Sequence, residues 1–144
     1  MILPPSYHVM QSLSMLRIEF RLIEEKQARV IRSRVMDSFA SHRAGPLWEN
    51  LLSAVAIQDP DGWRMIDGYL LGASFLIFFD EAEDKSMIEV SAGASLTGTL
   101  GECPGFEFYI TDPETTYLLC FNHHDFLIGA GRAAPWQALN RVKS

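Results

Sequence analysis

Residues 117–131 read YLLCFNHHDFLIGAG, two apolar runs separated by Asn122-His123-His124-Asp125. Runs this short, rich in aromatic and branched side chains, have strand length, and a gap of four polar residues suits a hairpin. As a single strand, the segment would place His123 with Asp125 on one face and Asn122 with His124 on the other. As a hairpin, it would expose all four at a tip. Asn and Asp also suit a plain turn, because their side chains bond nearby backbone.

Such a hairpin needs a sheet to receive it. ASFLIFFDE (73–81) is a continuous apolar run, the pattern of a strand buried on both faces. KSMIEVSA (85–92) returns after the acidic loop 80–84. FEFYITD (106–112) alternates and is joined to TYLLCF through Asp112-Pro113-Glu114-Thr115, a second hairpin signal. The small residues around 94–101 fit either a short helix or an irregular connection.

The N-terminal half reads differently. LRIEFRL (16–22) alternates strictly, whereas Ala28, Ile31, Val35 and Phe39 recur at helical spacing. No Gly or Pro interrupts residues 12–43. The preferred reading is one helix over about 13–42, with a strand followed by a helix as the alternative. Gly45-Pro46 ends it, and PLWENLLSAV reads as a second helix with Trp48, Leu51, Leu52 and Val55 inward. Asp61 is placed to cap a third helix carrying Trp63, Ile66 and Leu70. Ala134-Pro135-Trp136 opens a short C-terminal helix.

The expectation is one α+β domain over 1–144, with N-terminal helices packed on a mainly antiparallel sheet of about four to five strands. Its parts are a flexible 1–12, a helical part 13–70, the sheet 73–131 and a C-terminal helix 133–142.

The chain carries net charge −6, unevenly spread. Residues 17–43 hold seven Lys or Arg against four acids, and the remainder holds five against fourteen. An acidic body repels phosphate backbones and attracts basic proteins, so nucleic acid is not an expected partner. Arg17, Arg21, Arg32 and Arg34 are interleaved with Glu19, Glu24 and Glu25 and lack stacking aromatics, the pattern of a solvated face. The longest apolar block, Leu70–Phe79, is half the ~20 residues a membrane helix needs. No secretory signal opens the chain. Cys103 and Cys120 match no zinc or CxxC spacing and read as free thiols in a reducing cytoplasm.

No motif fixes a chemistry. Gly129-Ala130-Gly131 is not a phosphate loop and reads as a close backbone approach or a bulge. Ser95 in GASLTG is not a nucleophile elbow. Neither a cofactor nor a metal is expected. A catalytic or metal-binding alternative rests on His123, His124 and Asp125, with Glu102, Glu107 or Asp112 as orienting acids that spacing does not select. A third reading is an oligomerising structural module, since a homo-oligomer is compatible with this composition.

The Trp63 helix, FLIFFDE, EFYITD and YLLCFNHHDFLIGAG together resemble small bacterial families. Among these are immunity proteins of contact-dependent growth inhibition and other polymorphic toxin systems. The likeness covers about half the chain and lies in size, acidity and order of elements. Those proteins share no single fold, so no residue is carried over. The resemblance implies a non-catalytic protein that covers a toxin's active or docking surface, the toxin often being a basic nuclease. On that reading Asp80, Glu81, Glu83 and Asp84 steer the partner, while Asn122, His123, His124 and Asp125 make close contact.

Overall fold

The computed structural model describes residues 2–42 and 44–140. Met1, Arg43 and residues 141–144 lie outside the described residues, and with them the first residue of the expected flexible segment, the last of the basic segment and residues 141–142 of the expected C-terminal helix. The elements run α1 (Pro5–Met15), β1 (Phe20–Leu22), α2 (Glu25–Phe39), β2 (Val55–Gln58), α3 (Ile66–Leu70), β3 (Phe75–Phe78), β4 (Met87–Val90), α4 (Leu96–Leu100), β5 (Phe108–Thr111), β6 (Tyr117–Phe121) and β7 (Phe126–Gly131). Short 3₁₀ turns cover Leu47–Asn50, Gly62–Met65 and Gln137–Asn140.

The seven strands form one sheet in the order β1-β4-β3-β5-β6-β7-β2, antiparallel at every pairing. Every residue of β3, β5 and β6 is buried. An apolar sheet buried on both faces needs a cover on each. Val9 and Leu13 of α1, Ile66 and Leu70 of α3, and Leu96 and Leu100 of α4 pack on one face with Ile77, Ile110, Leu119 and Leu127. Ala28, Ile31, Val35 and Phe39 of α2 pack on the other with Phe78, Tyr109, Cys120 and Ile128. The result is three layers, helices–sheet–helix.

The α+β class stands, but four to five strands understates the sheet, and the helices are not all N-terminal, since α4 lies between β4 and β5. The long helix 13–42 is replaced by the alternative, a strand then a helix. Arg17 takes φ 58° and stops the helical path without a Gly or Pro. The alternating residues then pair Phe20 with Val90 and Leu22 with Ile88 on an otherwise open edge. The expected second helix shrinks to the turn Leu47–Asn50, and Val55–Gln58 joins β7 as the opposite edge strand. Leu52, expected inward, is exposed. Short apolar runs do not distinguish helix from strand, and here the open edge of β7 decides.

Residues 5–12, within the expected flexible segment, are helical. Pro5 suits the first helical position, and the Ser6 N–H donates to Asp84 Oδ2 at 2.8 Å. Asp61 makes no side-chain cap. Ser95 caps α4, its hydroxyl accepting from the Gly98 N–H at 3.0 Å, and Asp67 of the neighbouring α3 completes the cap by accepting from the Leu96 N–H at 2.8 Å, the Thr97 N–H at 3.0 Å and the Ser95 hydroxyl at 3.1 Å. Burial pushes the Asp67 carboxyl up, but these donors outweigh it and hold it below the ordinary value.

Gly129 and Gly131 are close backbone approaches, as the sequence suggested. A Cβ on Gly129 would strike the Leu139 side chain and lie 3.0 Å from the Ala133 carbonyl oxygen. Gly131 has φ 61°, and its Cβ would strike the Phe39 ring and sit 2.8 Å from the Thr116 carbonyl. Gly131→Ala is therefore expected to destabilise by about 2–3 kcal/mol, combining backbone strain with an immovable neighbour. Urea denaturation of the variant measures it. Asp67→Ala should cost about 1–2 kcal/mol at neutral pH through loss of the cap. A carboxyl held low stabilises the fold above its unfolded pKa of ~4, and that stability is lost as pH falls through the folded value. The gap between wild type and variant should thus close in acid, as denaturation across pH would show.

Candidate functional site

The β5–β6 and β6–β7 hairpins turn in the same way. Thr115 N–H donates to the Asp112 carbonyl and Asp125 N–H to the Asn122 carbonyl, after which Thr115 (φ 52°) and Asp125 (φ 64°) take the left-handed region. A tight turn followed by a left-handed residue is a common hairpin closure that Asp tolerates well. Asn122 fixes the second turn further, because its Oδ1 accepts from the His124 N–H at 3.0 Å and the Phe126 N–H at 3.1 Å.

Register then assembles the site. Phe78 is opposite Tyr109, and Phe108 is opposite Phe121. Extending both ladders past the strand ends sets Asp80, Glu107 and Asn122 side by side at one end of the sheet. Glu107 is only 8% exposed. Its Oε2 accepts from the His123 N–H at 2.9 Å and lies 2.5 Å from His123 Nδ1. The imidazole is thus held at Nδ1, and Nε2 is left for a partner. The His123 side chain is 61% exposed.

His124 lies beside it, with ring centroids 3.9 Å apart. Trp48 meets both rings edge-on, at 6.1 Å and 5.7 Å. Trp48 is placed by the start of its own 3₁₀ turn, whose free N–H groups need acceptors. The Leu47 N–H donates to Asp80 Oδ1 at 3.4 Å and the Trp48 N–H to the Tyr109 hydroxyl at 3.2 Å, while that hydroxyl donates to Asp80 Oδ1 at 3.0 Å. Burial pushes the Asp80 carboxyl up; Tyr109 and Leu47 pull it back, and neighbouring Glu107 pushes it up again, leaving it above the ordinary value. Tyr109 and Cys120 behind it are both shifted up, chiefly by burial, so both stay protonated at neutral pH.

The eight residues singled out in the sequence fall into distinct places. Asp80 is half-buried and engaged with Tyr109 and Leu47. Asp84 is buried and accepts from the Ser6 and Ser86 N–H groups, which hold its carboxyl low against the opposing effect of burial. Glu81 and Glu83 are exposed. His123 and His124 are exposed together, Asp125 is half-buried in the turn, and Asn122 is buried beneath them. Of the acids named as orienting groups, Glu107 alone bonds His123; Asp112 closes the other hairpin, at the opposite end of the sheet. Spacing missed Trp48 and Tyr109. No local signal marks either, because both reach the site through pairing between distant segments. Among the described residues, no three His, Cys, Asp or Glu side chains stand together as a metal site, and no helix is long and apolar enough to cross a membrane.

A carboxyl whose pKa is raised by folding costs stability once ionised, and the cost appears as pH rises through its folded value. Asp80→Asn keeps an oxygen for Tyr109 and removes the charge beside Glu107. The variant is expected to be more stable at pH ~7 by about 0.5–1 kcal/mol, discounted for partial exposure, with the gain vanishing below pH ~4. Chemical denaturation at both pH values checks it. No protein-family model, curated protein or solved structure matches this chain, so its geometry is what bears on function.

Proposed function

We propose that this chain is a non-catalytic protein-binding module, and that the end of the sheet bearing Trp48, His123 and His124 is its contact surface. One observation carries the reading: a nearly buried carboxylate, Glu107, bonds both the backbone and the ring of a mostly exposed histidine. Trp48 braces the adjoining ring pair. Exposed side chains held rigid before binding lower the entropic cost of association, and aromatic anchors dominate interface energies. The exposed acids Glu81 and Glu83, on a chain of net charge −6, favour a basic partner and speed encounter at low salt.

Within that class, the reading is an immunity protein that neutralises a cognate basic toxin, acting in the cytoplasm of a bacterium. The test takes the toxin domain encoded beside this gene, co-expresses it with the chain and measures survival and association rates. Survival should require the chain. His123→Ala and His124→Ala should each weaken binding at least about tenfold, mainly through faster dissociation. Glu81→Gln with Glu83→Gln should slow association at low salt but not at high salt. A gene neighbourhood without a toxin, or protection that ignores the histidines, would sink the proposal.

Glu107–His123 supports a second reading as well, a hydrolase with His123 as general base oriented by the carboxylate. It ranks lower because the imidazole stands mostly in water, where oriented charges act weakly. The thiol on the same side, Cys103, is pushed up by burial, and its one S–H has the Thr99 carbonyl at 3.4 Å and the His8 carbonyl at 3.7 Å as acceptors. Ester hydrolysis above background that disappears in His123→Gln would favour this reading over the first.

A further inference from the structure

On the face of the sheet that carries α3 and α4 lies a cleft of about 390 Å³. That is within the ~300–1,000 Å³ typical of small-molecule sites. Its walls are the rings of Trp63, Phe106, Phe108 and Phe121. Pairing of β5 with β6 sets Phe108 opposite Phe121, with ring centroids 6.3 Å apart. Phe106 is held against Phe79 in a T-shaped contact at 5.7 Å. Trp63 already accepts a cation, since Arg64 Cζ lies 4.6 Å from the centre of its ring. Arg64 is outside the lining, and Asp61, 3.7 Å from its Nε, offsets its charge. Among the described residues, no lysine or arginine lines the cleft, whereas Asp125 does. Asp125 bonds through its backbone, its N–H donating to the Asn122 carbonyl and its carbonyl accepting from the Asp59 N–H at 2.8 Å. Its carboxylate has no ion pair among the described residues. His123, also in the lining, turns its ring to Glu107, whose charge balances any proton the ring carries.

We propose that this cleft binds a small quaternary ammonium cation. Aromatic faces carry negative charge density and attract a cation within about 6 Å of the ring centre. A quaternary nitrogen has no N–H to satisfy, so it leaves water more readily than a primary ammonium and suits walls built of rings rather than acceptors. Charge acts across several ångströms beside poorly solvated walls, so the Asp125 carboxylate favours a cation without having to touch it. The same carboxylate repels an anion, and a neutral molecule of equal shape gains burial alone. The cleft lies on the opposite face of the sheet from Trp48 and Tyr109. Binding is read at Trp63, so this proposal and the protein-binding reading can fail separately.

Choline is the probe, followed by NMR on the whole chain at the Trp63 indole. Tert-butylethanol and the anion of tert-butylacetic acid have nearly its shape without the positive charge. Choline is expected to bind at millimolar concentration and shift the Trp63 resonance, and both isosteres should bind at least about fivefold more weakly. Asp125→Asn removes the charge and keeps a residue that tolerates the left-handed backbone at this position (φ 64°). It should weaken choline about three- to fivefold and leave tert-butylethanol unchanged. A second variant closes the cleft itself. A Cβ on Gly105, in the lining, meets nothing within 4 Å, so Gly105→Leu is expected to fold and to abolish the shift by obstruction. Choline that leaves Trp63 unmoved overturns the proposal. So does either isostere binding as tightly as choline, or a folded Asp125→Asn or Gly105→Leu variant that binds choline undiminished.

Discussion

Double-sided burial of β3, β5 and β6 is the constraint from which the rest follows. With ladders pairing Phe78, Tyr109, Cys120 and Ile128 on one face and Ile77, Ile110 and Leu119 on the other, neither face can meet water. Each therefore recruits helices from elsewhere in the chain, α2 on one side and α1, α3 and α4 on the other. Space on the covered faces is tight enough that β7 carries glycine where Leu139 and Phe39 press in. In β3, β5 and β6 the same packing leaves ionisable carboxyl groups only beyond the strand ends, as Asp80, Glu107 and Asp112.

At one tip, the polar groups exceed what a turn requires. Closing the β6–β7 hairpin needs Asn122 Oδ1 and a left-handed Asp125, and nothing more. Placing Asp80 beside Glu107 adds a desolvated carboxyl next to a carboxylate, an arrangement that works against stability. Tyr109 answers part of the cost by donating to Asp80 while receiving the Trp48 N–H. Local conflict of this kind tends to persist at sites kept for binding or catalysis rather than for folding.

How much of this was legible in the sequence depended on how local each signal was. The hairpin around Asn122–Asp125 and the buried run 73–81 were readable because apolar length and turn chemistry lie within a few residues. Strand β1 was visible as alternation in LRIEFRL, but the absence of Gly or Pro concealed the break, which Arg17 makes in a conformation unusual for its type. Strand β2 was hidden because VAIQ is too short to show a period, and only the open edge of β7 decides its state. At the site, His123 and its neighbours were conspicuous, whereas Trp48, Tyr109 and the choice of Glu107 over other acids depend on register across four segments.

That dependence on register also separates an accidental polar tip from a built one. Three strands that stop together will gather Asp80, Glu107 and Asn122 whatever the protein does. A mere strand end, however, would let these side chains turn outward to water. Instead Glu107 is nearly buried and spends one oxygen on both the backbone and the ring of His123. Asn122 turns its oxygen to the hairpin and leaves its amide nitrogen buried without a hydrogen-bond partner. Solvation alone would favour neither arrangement, since each forgoes hydrogen bonds that water offers at no cost in order. The surplus of fixed, inward-held polarity, and not the His-His-Asp string itself, is what marks this end of the sheet as the working one.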